Sequence, residues 1–419
     1  MKTNLRSILI AMLISLLLIT GCDIQLYEPV EPVKEVKPVT IIEEPVIEEK
    51  PAEPYAYAPI VTNTELASAT SIDSIIASLT LKEKIAQLFI VDFYGMTKTY
   101  HEKMYSKAMD DFLRMYPVGG IIYFAENIET KEQVLLLNKA LRAVSQIPLF
   151  ISVDEEGGIV SRLGKANIGV TPLPDAITLS TDNTAEEVNS LALNLGNEIK
   201  SLGFNMDFAP VLDINTNAEN PVIGKRSFGD DAKTVTKYAL AFGKGLDEAG
   251  IIYSGKHFPG HGDTTTDSHT EQTMVSHDMK RLNDVELVPF KAAIEANIPT
   301  IMMGHIIAPS VTNDTLPASL SPKMIQDLLR DTLGFDGLVL SDSLRMKAIT
   351  DFYPAEEVGV MLLQAGGDVI LIPDDFELTY NGILTAVEKG TLTEERIDES
   401  LRRILTVKLN YGLITELEP

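Results

Sequence analysis

Short apolar segments alternate with longer amphipathic segments from about Ser68 to the end of the chain. The apolar segments are four to seven residues long and mostly rich in β-branched side chains, as strands buried on both faces of a parallel sheet are. The amphipathic segments repeat with the period of a helix, and Gly203 and Gly250 predict glycine caps where two of them end. The predicted strands are Ala86–Asp92, Gly120–Phe124, Leu149–Val153, Asn205–Pro210, Ile252–Lys256, Thr300–His305, Leu338–Ser341 and Val369–Ile372. The predicted helices include Lys131–Ser145, Ala185–Leu202, Lys233–Ala249, Pro322–Leu333 and a closing helix at Glu394–Tyr411.

Eight strands that alternate with helices over about 350 residues predict a single (β/α)8 barrel of the TIM type. An open doubly wound sheet is disfavoured because no predicted strand is followed by a GxGxxG-type phosphate-binding turn. We therefore predict one α/β domain over residues 68–419. In such a barrel the active site lies at the carboxyl ends of the strands.

Titratable residues stand at or shortly after the ends of five predicted strands. One or two such residues would be ordinary strand-end caps. A need for solubility alone does not explain why ionisable residues follow five apolar strands. The barrel brings these positions to one end of the domain, which predicts a polar site there. The residues are Asp154 with Glu155 and Glu156, Asp213, Lys256, His257, His305 and Asp342.

The segment KHFPGHGDTTTDSH at residues 256–269 contains three of the six histidines of the chain. Its proline and glycines interrupt regular pairing, so we predict a mobile loop that presents polar groups to a ligand. A merely solvated, histidine-rich surface loop is the alternative. Metal binding is disfavoured because the spacing of His257, His261, Asp263 and His269 matches neither HExxH nor a Cys/His arrangement. We expect no metal and no cofactor.

The N-terminal segment has the anatomy of an export signal. Lys2 and Arg6 precede the apolar run Ile8–Ile19, which is short for an ordinary spanning helix. The run ends in Ile-Thr-Gly-Cys, which resembles the bacterial lipobox, and this resemblance implies a signal peptide at residues 1–21 and a lipid on Cys22. We therefore expect attachment to the extracytoplasmic face of the cell membrane through several acyl chains.

Residues 22–67 are rich in proline and glutamate and show no period that could bury one face. Seven prolines between Asp23 and Pro59 favour an extended chain, and the glutamates repel one another. We interpret this segment as a tether between the anchor and the domain.

The overall composition narrows the classes of partner. The chain has 60 acidic and 35 basic residues and a net charge of −25, which disfavours nucleic acid as a partner. A single cysteine excludes an intramolecular disulfide. The hydrophobic fraction of 45% is enough for a substantial core, and we expect a monomer.

Five segments together resemble a known enzyme family. In chain order they are DEEGGIVSR (154–162), NMDFAPVLDIN (205–215), NPVIGKRSFGDD (220–231), KHFPGHGDTTTDSH (256–269) and LVLSDSLRMKAI (338–349). They are similar to those of glycoside hydrolase family 3, in its β-N-acetylglucosaminidase branch. The resemblance implies a retaining hydrolase that removes terminal N-acetylglucosamine from peptidoglycan fragments or chitin-type oligosaccharides.

The resemblance also implies roles for single residues. Asp342 corresponds to the nucleophile, and the pair Asp267 and His269 to the acid/base. Asp336 is a rival acid, but it precedes the seventh strand and belongs to the opposite end of the barrel. The residues implied in binding the terminal sugar are Asp154, Arg162, Arg226, Lys256 and His257.

Several alternatives stay open at this point. Arg162 and Arg226 could form buried ion pairs that support the barrel mouth, His261 could belong to the loop architecture, and His305 could be a satisfied strand-end histidine. The enzyme could be a family 3 β-glucosidase-type hydrolase or an N-acetylglucosaminide phosphorylase. A surface lipoprotein that binds carbohydrate without catalysis is the non-enzyme alternative.

Overall fold

The computed structural model describes residues 71–414, and eight parallel strands form a closed sheet in this region. Each strand pairs with its neighbours in chain order, and the last pairs with the first through Phe89 and Ile370. A bridge between Leu340 and Val369 completes the circle. The predicted (β/α)8 barrel is confirmed. The strands are β1 (Phe89–Val91), β2 (Gly120–Tyr123), β3 (Phe150–Val153), β4 (Met206–Asp207), β5 (Ile252–Phe258), β6 (Thr300–Met303), β7 (Leu338–Ser341) and β8 (Ile370–Leu371).

The helices lie between and around these strands. One of them, Lys323–Thr332, has π-helical hydrogen bonding, and three short 3₁₀ turns lie at Ala125–Asn127, Gly224–Arg226 and Ala318–Leu320. The α-helices are Ile72–Ser78, Leu81–Ala86, Phe93–Thr97, Lys107–Met115, Lys131–Ala143, Ala176–Asp182, Ala185–Ser201, Ala232–Glu248, Met279–Asp284, Leu287–Glu295, Pro309–Thr312, Lys347–Thr350, Ala355–Gln364, Phe376–Glu388 and Glu394–Asn410.

The predicted boundaries fail mainly where an apolar run crosses from one element into another. Ala86 was predicted to begin a strand, but it ends a helix and β1 begins only at Phe89. Conversely, β5 continues two residues past Lys256, to Phe258. The two predicted glycine caps are confirmed, because Gly203 and Gly250 adopt φ values of 94° and 73° directly after their helices.

One large hydrophobic core fills the barrel and the layer between strands and helices. A second, smaller cluster contains Ile75, Ile76, Leu401 and Leu405 and packs the first described helix against the last. The last helix therefore closes the outer layer, as its pattern predicted. Among residues 71–414, every helix is too short or too polar to cross a bilayer. The predicted signal peptide, Cys22 and the tether lie outside the described residues.

A buried carboxylate fastens the amino end of the barrel. Asp368 is fully buried just before β8 and accepts hydrogen bonds from Arg330 at 2.5 Å, Arg403 at 3.0 Å and Ser400 at 2.7 Å. It also accepts from the backbone of Val339 in β7. One side chain thus joins two strands to two helices, and its charge compensates that of the buried Arg330.

We expect Asp368→Asn to lower the free energy of unfolding by about 3 kcal/mol, because it leaves buried guanidinium groups without their anion. Urea denaturation followed by circular dichroism measures this loss. Asp336→Asn is the matched control, since Asp336 is an exposed aspartate at the same end of the barrel, and it should change stability by less than about 0.5 kcal/mol. Equal midpoints for the two variants would contradict the role given to Asp368.

Candidate active site

A cavity of about 870 Å³ opens at the carboxyl ends of the strands. Its wall is built from strand ends and from the loops that follow them, which is where a barrel of this kind places its chemistry. Every site residue predicted within the described region lines it. They are Asp154, Arg162, Arg226, Lys256, His257, Asp267, His269 and Asp342.

Four charged side chains form a connected cluster at the floor of this cavity. The ammonium of Lys256 donates to Asp154 Oδ1 at 2.7 Å and lies 2.6 Å from Glu156 Oε1. Glu156 also accepts two hydrogen bonds of 2.8 Å from Arg226 in a bidentate arrangement. The negative charges of Asp154 and Glu156 therefore balance the positive charges of Lys256 and Arg226. This balance allows Lys256 to be only 2% exposed.

The cluster fixes the charge state of its members. Burial opposes ionisation of the Glu156 carboxyl, but the charges of Arg226 and Lys256 outweigh it and hold the pKa well below its usual range. Burial likewise opposes protonation of Lys256, yet Asp154 and Glu156 raise its pKa above the ordinary value. The floor presents fixed cations and carboxylate oxygens, the groups that bind sugar hydroxyls and carbonyls.

His257 is oriented by a buried carboxylate behind it. Its Nδ1 lies 2.7 Å from Asp213 Oδ2, and its backbone N–H donates to the same carboxylate at 3.2 Å. Burial raises the pKa of Asp213, but the neighbouring His257 lowers it further, so the net shift is downward. Because the ionised carboxylate only accepts, Nδ1 carries a hydrogen, and Nε2 is left at 3.4 Å from Arg226 at the cavity.

Asp342 directly follows β7 and is partly buried. Its backbone N–H donates to Met303 of β6 at 2.9 Å, and its Oδ1 accepts from the N–H of Ser343 at 2.7 Å. Burial alone would raise its pKa, but His257 and His305 reverse this, and the pKa lies below the ordinary value. The side chain is therefore an anchored carboxylate that is ionised near neutral pH.

Asp267 and His269 form a pair on the loop after β5. The Oδ1 of Asp267 lies 2.7 Å from His269 Nδ1 and also accepts from the His269 backbone N–H at 2.9 Å. The side chain of His269 is 58% exposed. The carboxylate contacts Nδ1, and Nε2 has no hydrogen-bond partner within residues 71–414. In this arrangement a histidine can give and take a proton.

Among the described residues, Arg162 has no carboxylate partner, so the buried ion pair that was its alternative role is not formed there. Its guanidinium lies 5.8 Å from the ring of Phe124, and its buried Nε meets no acceptor within residues 71–414. The loop that carries it is held from behind, because Glu155 Oε2 accepts from the backbone N–H of Arg162 at 2.8 Å. The guanidinium therefore keeps donors available at the cavity.

The prediction of a mobile polar loop for residues 256–269 is wrong for its first half. Lys256, His257 and Phe258 belong to β5 and are buried, and His261 is only 2% exposed. Lys256 can be buried because it pairs with Glu156, and His257 can be buried because it is hydrogen-bonded to Asp213. Only the last part, around His269, is an exposed loop as predicted.

His305 is a satisfied strand-end histidine. Its Nδ1 lies 2.8 Å from Ser319 Oγ and its Nε2 lies 3.0 Å from the carbonyl oxygen of Ser343. Burial lowers its pKa. It supports the backbone next to Asp342 and does not line the cavity in the described part of the chain.

Two charged residues at the site received no individual role in the sequence analysis. Glu156 is one of them. It stands two positions after Asp154, and this spacing could have indicated that both carboxylates contact the same cation, Lys256. The other is Arg345, which is held by Asp92 of the loop after β1 at 2.5 and 3.1 Å and lies against the ring of Tyr94 at 5.0 Å. No sequence signal connects Asp92 with Arg345, which are 253 positions apart.

A second cleft, of about 820 Å³, lies at the amino end of the barrel and contains Asp336. The rival nucleophile is therefore far from the histidines of the first cavity. Within residues 71–414, no group of three or more His, Cys, Asp or Glu side chains is arranged to hold a metal ion.

Comparison with known proteins finds beta-hexosaminidases among the relatives of this chain. The chain is 35% identical over 334 residues to beta-hexosaminidase A of Pseudoalteromonas piscicida, which covers 72% of this chain and 54% of that protein. It is 35% identical over 350 residues to beta-hexosaminidase LpqI of Mycobacterium tuberculosis, which covers 79% of this chain and 84% of that protein. The chain thus spans about half the length of the first relative and most of the second.

Solved structures agree with these sequence relatives. A glycoside hydrolase family 3 beta-N-acetylglucosaminidase from Paenibacillus superposes with a TM-score of 0.76 at 40% identity, over 80% of this chain and 63% of that one. LpqI of Mycobacterium tuberculosis superposes with a TM-score of 0.72 at 32% identity, over 82% of this chain and 97% of that one. The sequence model of the glycosyl hydrolase family 3 N terminal domain matches residues 80–407. The chain therefore belongs to glycoside hydrolase family 3.

Proposed function

We propose that this protein is a retaining exo-β-N-acetylglucosaminidase. The observation that carries the proposal is the combination, in one cavity, of the anchored carboxylate Asp342 with the Asp267–His269 pair. Relatives of substantial identity bear the names beta-hexosaminidase and beta-N-acetylglucosaminidase. Hydrolysis of a terminal N-acetylglucosaminide is the reaction that these groups serve best.

Asp342 acts as the nucleophile in this proposal. Its carboxylate attacks the anomeric carbon, the bond to the leaving oxygen breaks, and a covalent glycosyl-enzyme forms. The Ser343 N–H and the strand-end hydrogen bond to Met303 hold the carboxylate in place, so little orientation has to be gained during the reaction. Ionised Asp342 also stabilises positive charge that develops on the sugar ring.

His269 acts as the acid and then as the base. It gives a proton from Nε2 to the leaving oxygen, and later takes one from the water that releases the sugar from Asp342. Asp267 keeps the ring in the required tautomer and stabilises its protonated form. Because His269 is exposed, the leaving group departs toward solvent.

The terminal sugar is held by the charged floor of the cavity. Asp154 accepts from neighbouring hydroxyls, and Lys256 and Arg226 donate to hydroxyl or acetamido oxygens. Arg162 and His257 complete the wall. Because Lys256 and Arg226 are already paired with Glu156, they are pre-oriented before the sugar arrives.

The proposed natural substrates are peptidoglycan fragments or chitin-type oligosaccharides that end in N-acetylglucosamine. This choice follows from the proposed location. A lipid on Cys22 would hold the enzyme at the extracytoplasmic face of the cell membrane, with residues 22–67 as a tether.

We expect Asp342→Asn to fold like the wild type and to lose nearly all turnover of a p-nitrophenyl N-acetyl-β-glucosaminide, because the charge needed for the covalent step is gone. The wild type should release N-acetylglucosamine of retained β configuration, monitored by proton NMR. A fluorinated mechanism-based glycoside should label Asp342 in peptide mass spectrometry. Label on another acid would overturn the assignment, and a sugar 1-phosphate formed only in phosphate buffer would indicate a phosphorylase.

We expect His269→Ala to lower kcat/KM about 100-fold or more for an N-acetylglucosaminide with a poor leaving group, such as a methyl glycoside. For a 2,4-dinitrophenyl glycoside the loss should be small, since this leaving group hardly needs a proton. Asp267→Ala should show the same pattern to a lesser degree. Equal losses for both substrates would mean that His269 binds sugar instead.

We expect Cys22→Ser to move the protein from the membrane fraction to the soluble fraction with unchanged kcat/KM, because the lipid attachment site is lost while the catalytic domain is intact. Fractionation and immunoblotting of cells that express either form measure this. A matched Ser7→Ala variant, outside the lipobox, should stay in the membrane fraction. Retention of Cys22→Ser at the membrane would refute the anchor.

A further inference from the structure

His261 lies behind the cavity wall and is absent from the described residues that line it. It is 2% exposed and forms two side-chain hydrogen bonds within its own loop, to Thr264 Oγ1 at 2.7 Å and to Ser268 Oγ at 3.0 Å. The second bond reaches the residue that stands between Asp267 and His269 in the sequence. A buried ring thus contacts the base of the exposed acid/base loop.

The hydrogen-bond network assigns the tautomer of this ring. Thr264 Oγ1 donates its hydrogen to the carbonyl oxygen of His261 at 2.9 Å, and it accepts from Asn220 at 3.2 Å. Nδ1 of His261 must therefore be the donor to Thr264, which leaves Nε2 as the acceptor for the hydroxyl of Ser268. Burial, followed by the nearby charge of His257, lowers the pKa of His261 to about 4, so this neutral form persists at neutral pH.

The backbone of His261 is held by the same carboxylate that orients His257. Its N–H donates to Asp213 Oδ1 at 2.6 Å, while Oδ2 of Asp213 contacts the ring of His257 at 2.7 Å. The next residue, Gly262, packs so closely on the loop after β4 that a Cβ there would lie 1.8 Å from the carbonyl oxygen of Ile214. The start of the acid/base loop is therefore tightly packed and hydrogen-bonded to the loop after β4.

Ser268 connects this packed segment to the acid/base pair, because it lies between Asp267 and His269 and is bonded to His261. It is 1% exposed, and its carbonyl oxygen accepts at 3.4 Å from the N–H of Ala348, in the short helix Lys347–Thr350 that follows Asp342. The neighbouring side chains of Asp267 and His269 are both much more exposed. Ser268 is thus the buried point from which the exposed pair projects.

We propose that His261, through its hydrogen bond to Ser268, is the positioning residue that holds the Asp267–His269 pair over Asp342, with Asp213 coupling this support to sugar-binding His257. The inference rests on the proposed function of the pair. It assigns His261 no contact with the substrate, and it gives the second histidine of the KHFPGH segment a task distinct from that of the first.

Two substitutions at His261 separate positioning from packing. In His261→Asn the side-chain amide takes the place of Nδ1, so the hydrogen bond to Thr264 is kept and the hydrogen bond to Ser268 is lost. In His261→Gln the amide takes the place of Nε2, so the hydrogen bond to Ser268 is kept. We expect His261→Asn and Ser268→Ala to lower kcat/KM for a methyl N-acetylglucosaminide at least tenfold, and to change it less than threefold for the 2,4-dinitrophenyl glycoside. His261→Gln should stay within threefold of the wild type on both substrates.

The thermal midpoints of the three variants serve as a control for folding. Loss of activity that follows the midpoint and is equal for both leaving groups would overturn the proposal, as would a His261→Asn variant that matches the wild type on both substrates. If the wild type cleaves neither substrate, the proposed function fails. If it cleaves both and the variants lack the leaving-group pattern, only the positioning role fails.

Discussion

The buried ammonium of Lys256 is the constraint on which the sugar-binding end of the barrel depends. An isolated cation at 2% exposure would be prohibitively costly, so Asp154 and Glu156 approach it within 2.7 Å. Glu156 then needs Arg226 as a second partner. Removing one partner from such a cluster costs about 3–5 kcal/mol, and this keeps the loops after β3 and β4 in place against β5. The same compensation pre-orients the groups that would meet a sugar.

The two ends of the barrel use buried charge for different purposes. At the amino end, Asp368 is fully buried and accepts hydrogen bonds from arginines, from Ser400 and from the backbone of Val339. At the carboxyl end, Asp154 and Asp342 face a cavity and keep oxygen atoms available. Ion pairs at the amino end hold strands and helices together. Ion pairs at the carboxyl end orient side chains whose remaining hydrogen-bonding atoms are left for a substrate. This division follows the general architecture of such barrels.

The sequence predicted the barrel because buried parallel strands leave a strong local signal, a short apolar run such as Leu338–Ser341. Asp342 was expected at the carboxyl end of the barrel because it follows a predicted strand, whereas the roles of Asp342, Asp267 and His269 came from the resemblance to glycoside hydrolase family 3. The prediction from sequence was wrong about the first half of residues 256–269, because polarity was interpreted locally while the partners Glu156 and Asp213 are distant in sequence. Arg345 was missed for the same reason, since its partner Asp92 lies at the far end of the chain. Long-range compensation of charge is the part that local patterns do not contain.

The contact between Asp267 and His269 is made within three consecutive residues, through both the backbone and the ring. These hydrogen bonds are therefore local to one turn, whereas the position of that turn in the barrel depends on the buried contacts of Ser268. Because the carboxylate and the ring share one turn, any displacement of that turn carries both groups together. The proton donor and the group that orients it are therefore kept, moved or lost as one unit.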